Sequence, residues 1–75
     1  MVTREIYDYS KGEYLEILGF RSNYLINYFK KDKLQATYRA DNIIGDIGQP
    51  TEIWLDGKRV AKIKNELVST FKLIS

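Results

Sequence analysis

The stretch SKGEYLEILGFRSNYLINYFKKDK, residues 10–33, decides the fold. Ser10 and Glu13 stand at capping-box spacing, where the hydroxyl accepts from the third helical N–H and the carboxylate reaches back to the cap. Tyr14, Ile17 and Leu18 then fall on one face, with Leu15 beside them, which predicts a short helix over 11–18. Gly12 weakens its first turn by about 1 kcal/mol relative to alanine. Gly19 supplies the positive φ that ends it. A second helix is predicted over 22–32, starting at Ser22, with Leu25, Tyr28, Phe29 and the stem of Lys33 as its inward stripe. Its outer face carries Asn23, Ile26, Asn27 and Lys30, and the lysines gathered in its last turn suit the negative end of the helix dipole.

Outward from this stretch the pattern changes. Residues 4–9 suit a short strand or extended lead-in, and residues 34–40, LQATYRA, alternate as a strand does. Asp41 to Pro50 reads as loop, punctuated by Gly45, Gly48 and Pro50, and its Ile43, Ile44 and Ile47 require cover. From Glu52 to Ile63 two strand-like runs flank Asp56-Gly57, a pair that favours the φ > 0 values of a type I′ hairpin turn. Asn65 then caps a final helix over 66–73 that buries Leu67, Val68, Phe71 and Ile74. The expected architecture is α+β: a winged helix-turn-helix with three short helices and a β-hairpin wing, in a single domain spanning residues 1–75.

Seventy-five residues suffice for one small core. The absence of cysteine excludes disulfides, thiolate metal sites and cysteine nucleophiles, and the absence of histidine removes the commonest general base and zinc ligand. The ten acidic residues are scattered without a metal-binding loop, so neither metal nor cofactor is expected, and no enzymatic activity. No apolar run approaches the roughly 20 residues that span a bilayer, and the start lacks a signal peptide's apolar segment, so a cytoplasmic protein is expected.

The net charge of +2 conceals a segregated distribution. Residues 20–39 carry Arg21, Lys30, Lys31, Lys33 and Arg39 against Asp32 (net +4), and residues 58–64 carry Lys58, Arg59, Lys62 and Lys64 (+4). Between them, residues 40–57 carry only Asp41, Asp46, Glu52 and Asp56 (−4). A fold that sets the two basic blocks side by side would attract a polyanion despite the modest total.

The predicted order of elements, with ILGFRSNYLINYFKKDKL (residues 17–34), resembles the small excisionase/AlpA-type domains, which share their architecture with the DNA-binding head of MerR regulators. Ile17, Leu18, Gly19 and Phe20 match the family's turn. Ser22, Leu25, Tyr28, Phe29, Lys30, Lys33 and Leu34 fall in register with its second helix, and KRVAKIKNELVSTF (58–71) resembles its second wing strand and closing helix. The segment Gln35–Gly57 is longer than such domains need, Arg21 stands at a capping position, and Asn27 replaces the mid-helix arginine. The resemblance implies a sequence-specific duplex-DNA-binding protein of a phage or mobile element, either a recombination directionality factor or a small transcriptional regulator. Its partners would be an integrase or further copies of itself bound cooperatively on DNA, with no small-molecule substrate.

In a helix-turn-helix the second helix enters the major groove. Arg21 would then pair with guanine, and Asn23 or Asn27 with adenine. Ser22 would take a phosphate, Lys30, Lys31 and Lys33 would hold the backbone, and Lys58 and Arg59 would reach flanking DNA from the wing. Tyr24 would pack on sugar–phosphate or cover the edge of the core; Lys64 reads as solvated surface, and Trp54 as a core or wing anchor. A rival motif, Ile43-Ile44-Gly45-Asp46-Ile47-Gly48, resembles the backbone-clamping loop of KH domains, but Asp46 would oppose phosphate and Pro50 with the following hairpin displaces the required helix. A P-loop fails for want of its Gly-Lys-Ser/Thr ending. The other class of function is a protein-interaction module, such as a small inhibitor of a host protein, binding through an apolar patch of the 40–57 segment.

Overall fold

In the computed structural model, which describes residues 3–74, the chain is built from antiparallel strands, and among those residues no helix forms. Four strands of eight residues follow one another through two-residue turns: β1 (Thr3–Ser10), β2 (Glu13–Phe20), β3 (Asn23–Lys30) and β4 (Lys33–Ala40). Three shorter strands follow: β5 (Asn42–Ile44), β6 (Thr51–Leu55) and β7 (Lys58–Ile63). The last, β8 (Ser69–Ile74), returns to pair with β1. The order is β4-β3-β2-β1-β8 in one sheet and β5-β6-β7 in the other.

The winged helix-turn-helix expectation is therefore overturned. Residues 11–18 form the first hairpin turn and most of β2, residues 22–32 form β3 with its flanking turns, and residues 66–73 form a connector and most of β8. The physical reason lies in the turns. Arg21 and Ser22 have φ of 50° and 59°, and Lys31 and Asp32 have 53° and 59°, so both pairs are left-handed, the I′ geometry that matches strand twist. Gly12 closes the first hairpin at φ 78°, where a Cβ would also lie 3.2 Å from the Cα of Lys31. Close approach of the two turns lets Asp32 N–H donate to the Gly12 carbonyl at 2.9 Å. Gly19 lies within β2 rather than ending a helix, and Ser22 caps nothing.

Alternation along these strands sends Leu15, Ile17 and Ile26 inward to a core shared with Tyr9, Ala40, Ile53, Ile63 and Leu67. The strand and hairpin readings hold: residues 34–40 fall within β4, and Asp56-Gly57 turns β6 into β7 with φ of 52° and 76°. The 41–50 segment, read as loop, includes β5, whose Ile43 packs on the core while Ile44 and Ile47 stay exposed.

Asp41 carries the chain from one sheet to the other. Its N–H donates to the Trp54 carbonyl at 3.0 Å, and its carboxylate accepts from the Asp56 N–H at 3.0 Å. On the other side the connector after β7 is stitched down by Leu67 N–H to Gln49 O, Gly48 N–H to Leu67 O and Val68 N–H to Asp8 O. Across the core, the buried Tyr9 hydroxyl donates to Thr51 Oγ1 at 2.5 Å. Among the described residues no buried side-chain polar atom lacks a partner, as a small core requires. No helix of the described residues is long and apolar enough to cross a membrane.

Candidate polyanion-binding groove

Where β3 ends and β7 runs into its connector, the two sheets leave a groove of about 330 Å³ lined by Glu13, Tyr28, Lys30, Tyr38, Lys62, Ile63, Lys64 and Asn65. Tyr28 and Tyr38 point to the core side of the first sheet, as Ile26 does, and half-bury their rings in the groove wall. Ile63 is buried at the groove base, whereas Lys30, Lys62 and Lys64 are exposed along its rim.

At the bottom lies Glu13, only 4% exposed. Its carboxylate accepts from the Tyr28 hydroxyl at 2.5 Å, the Asn65 amide at 2.7 Å and the Ser10 hydroxyl at 3.4 Å. Burial alone would raise the Glu13 carboxyl. The Tyr28 and Asn65 bonds, the Lys30 charge and the Ser10 bond outweigh it and hold the group below the usual glutamate value. Burial and the bond to this carboxylate push the Tyr28 phenol up to about 12. Glu13 is thus an inward-turned, satisfied anion that joins β2, β3 and the connector, and the solvent-facing charge of the rim is cationic. Lys11, Lys31 and Lys33 stand exposed on the two adjoining turns and at the start of β4, with Asp32 as the one acidic residue among them, so that end is net positive.

The residues expected to contact DNA do not form one surface. Arg21 and Ser22 lie on the β2–β3 turn and Asn23 opens β3, whereas Lys30 and Lys31 lie at its far end, about 25 Å away at roughly 3.3 Å per residue. Asn27 is mid-strand on the outer face, donating to Glu16 Oε1 at 3.1 Å and accepting from Thr37 Oγ1 at 2.8 Å. Lys58 opens β7 beside the Asp-Gly turn, and Arg59 lies 3.5 Å from Glu52. Tyr24 covers the core edge, its ring filling the space that a side chain at Gly19 would need. Trp54 is half-buried and donates to Glu52 at 3.1 Å.

Only Lys30 of the expected set lines the groove, and its companions Lys62 and Lys64 come from the second basic block. Lys62 belongs to the wing strand expected to reach flanking DNA, whereas Lys64 reads in the sequence as solvated surface, and Glu13, Tyr28, Tyr38 and Asn65 are not among the expected contacts. The Ser10–Glu13 spacing did carry information, since the two side chains meet, but across a hairpin mouth rather than around a helix cap. Asn65 likewise spends its side chain on Glu13 instead of on a helix N-terminus. Among the described residues no group of acidic side chains could hold a metal ion.

No protein-family model matches the chain, and it has no significant similarity to any curated protein or solved structure.

Proposed function

We propose that this protein is a small binding module that grips the phosphate backbone of DNA through the Lys30–Lys62–Lys64 groove. The observation that carries the reading is the convergence of three lysines from two basic stretches, 32 residues or more apart in sequence, on one groove. Three ammonium groups along a rim suit a run of phosphates, to which lysine binds as a point charge, and Lys11, Lys31 and Lys33 extend the attraction beyond the groove. Lys62 stands cross-strand from Glu52, but that carboxylate is already engaged by Trp54 and Arg59. With strands in place of a recognition helix, the contact is to backbone rather than to base edges read by Arg21, Asn23 or Asn27. The 40–57 segment gives the protein-interaction reading less support, because Ile43 packs against the core and Trp54 is half-buried, which leaves only Ile44 and Ile47 of its patch exposed.

Fluorescence anisotropy of a labelled DNA duplex over a salt series tests this. The logarithm of the binding constant should fall with that of salt concentration with a slope of about −3 or steeper, and each of Lys30→Gln, Lys62→Gln and Lys64→Gln should reduce the slope by about 0.9. Asn27→Ala should leave it unchanged. A single-stranded oligonucleotide run in parallel tells a duplex site from a single-strand one, whose slope per phosphate is about 0.7. Absent or salt-independent binding, or equal affinity for a Lys30→Glu/Lys62→Glu/Lys64→Glu variant, would refute the proposal.

A further inference from the structure

The outer face of the five-stranded sheet, remote from the core, is unusually apolar. Leu25 (41% exposed), Leu34 (56%), Phe71 (47%) and Leu73 (40%) lie open on β3, β4 and β8. Between them Tyr14 and Phe29 stack with ring centroids 4.7 Å apart, and Ile6 is buried yet outside the core cluster. A sheet with one face on the core ordinarily turns a polar face to water. This one is polar chiefly along a hydrogen-bonded belt, Arg4–Glu16–Asn27–Thr37, whose members satisfy one another.

Strand register decides which partner suits this face. Ile6 stands opposite Glu16 on β2 and Phe71 on β8, so these side chains form a row across the sheet. Two residues to either side on β1, Arg4 and Asp8 point to the same face with opposite charge. A two-fold axis laid along the Ile6–Phe71 row exchanges those positions. Arg4 of one copy then meets Asp8 of the other, twice, while Leu18 and Leu25 lie over the row of Tyr14 and Phe29. Self-complementarity of this kind is what an isologous interface demands. The guanidinium of Arg4 engages Glu16 through Nε and one terminal nitrogen, at 2.8 Å and 2.7 Å, and retains donors for a second carboxylate. Each Glu16, which lies near the axis, is neutralised laterally by its own Arg4 and bonded to Asn27.

We infer that the protein forms a symmetric dimer by packing this outer sheet face on that of a second copy, with Arg4 and Asp8 exchanged about the Ile6–Phe71 row. Five strands about 4.8 Å apart, four of them eight residues long and β8 six, offer a face of roughly 20 by 25 Å. That is small against the approximately 800 Å² per partner of a standard interface, so the dimer should be weak and dependent on concentration.

The chain has no cysteine, so a single Phe71→Cys places one thiol per copy beside the axis. A short bis-maleimide should then link two copies at least tenfold faster than it links a Val60→Cys control, which is also exposed but lies on the other sheet. Adding Asp8→Arg sets arginine against arginine and should slow linking about tenfold; adding Arg4→Asp to that variant should restore it. Sedimentation of the unmodified chain should show dimer increasing with concentration, and Phe71→Glu should abolish it. Linking no faster than the control, or indifferent to Asp8→Arg, would overturn the inference, as would a dimer that survives Phe71→Glu. Should the Arg4→Asp variant fail to fold, the Asp8→Arg and Phe71→Glu results decide the matter by themselves.

Discussion

Ser22→Gly is the sharpest probe of the architecture, because a strand turn and a helix cap give it opposite signs. Ser22 sits at φ 59°, in a conformation that costs an L-residue about 1–2 kcal/mol and glycine almost nothing. Glycine's extra freedom in the unfolded chain takes back about 0.4–1 kcal/mol. The net expectation is a gain of about 0.5–1 kcal/mol. Unfolding entropy of about 2.1 cal/mol/K per residue comes to about 160 cal/mol/K for 75 residues, so Tm should rise by about 3–6 °C. Arg21→Asn with Ser22→Gly should raise it further, since Arg21 is also left-handed, at φ 50°. Ser22→Val should instead cost more than 1 kcal/mol, because a β-branched residue fits poorly at positive φ. Were Ser22 a helix cap, glycine would cost a few tenths of a kcal/mol. Thermal melts followed by circular dichroism, with urea titrations for ΔG, separate the cases. A neutral or destabilising Ser22→Gly would refute the type I′ turn and the sheet register that depends on it.

Other consequences concern the core and the groove. Glu13→Ala should destabilise by about 3 kcal/mol, because it strands the Tyr28 hydroxyl and the Asn65 amide, and urea unfolding at pH 7 measures it. The Glu13 carboxyl is lowered from 4.5, so its contribution is complete above that value and lost as pH falls through the lowered one; Glu13→Gln should flatten the acid limb of a stability–pH curve. Tyr28 titrates in the opposite sense. Its phenol rises from 10.0 to about 12, so the associated stability holds below pH 10 and disappears as pH climbs toward 12, and Tyr28→Phe should remove that alkaline loss. Ile26→Ala, at a fully buried position at the centre of β3, should cost about 2–5 kcal/mol in the same urea assay.

Several features of the chain were legible locally. Asp56-Gly57 specified its own turn, because only a few residue pairs tolerate two left-handed conformations in succession. Alternation in LQATYRA was also enough for β4, since polar Thr37 and Arg39 point outward between the inward Ala36, Tyr38 and Ala40. Residues 10–33 misled because both faces of β2 and β3 are apolar. Leu15, Ile17, Ile26 and Tyr28 point inward, while Tyr14, Leu18, Leu25 and Phe29 point outward onto the second apolar surface. With both alternating sets filled, triples such as 14, 17 and 18 or 25, 28 and 29 arise at helical spacing without any helix. Arg21-Ser22 and Lys31-Asp32 concealed the turns, being left-handed pairs without the glycine that would have announced them.

The sequence by itself settled the size of the core, the lack of cysteine and histidine chemistry, the last hairpin and the segregation of charge into blocks. Tertiary structure alone decided which of those charges meet. Lys30 lies beside Lys62 and Lys64, and 25 Å or so from Arg21, because β3 is extended at about 3.3 Å per residue where a helix would have risen by only 1.5 Å. The same ten residues, 21–30, that a helix would have kept within about three turns were spread by a strand across the whole molecule, dividing one basic block and joining half of it to another.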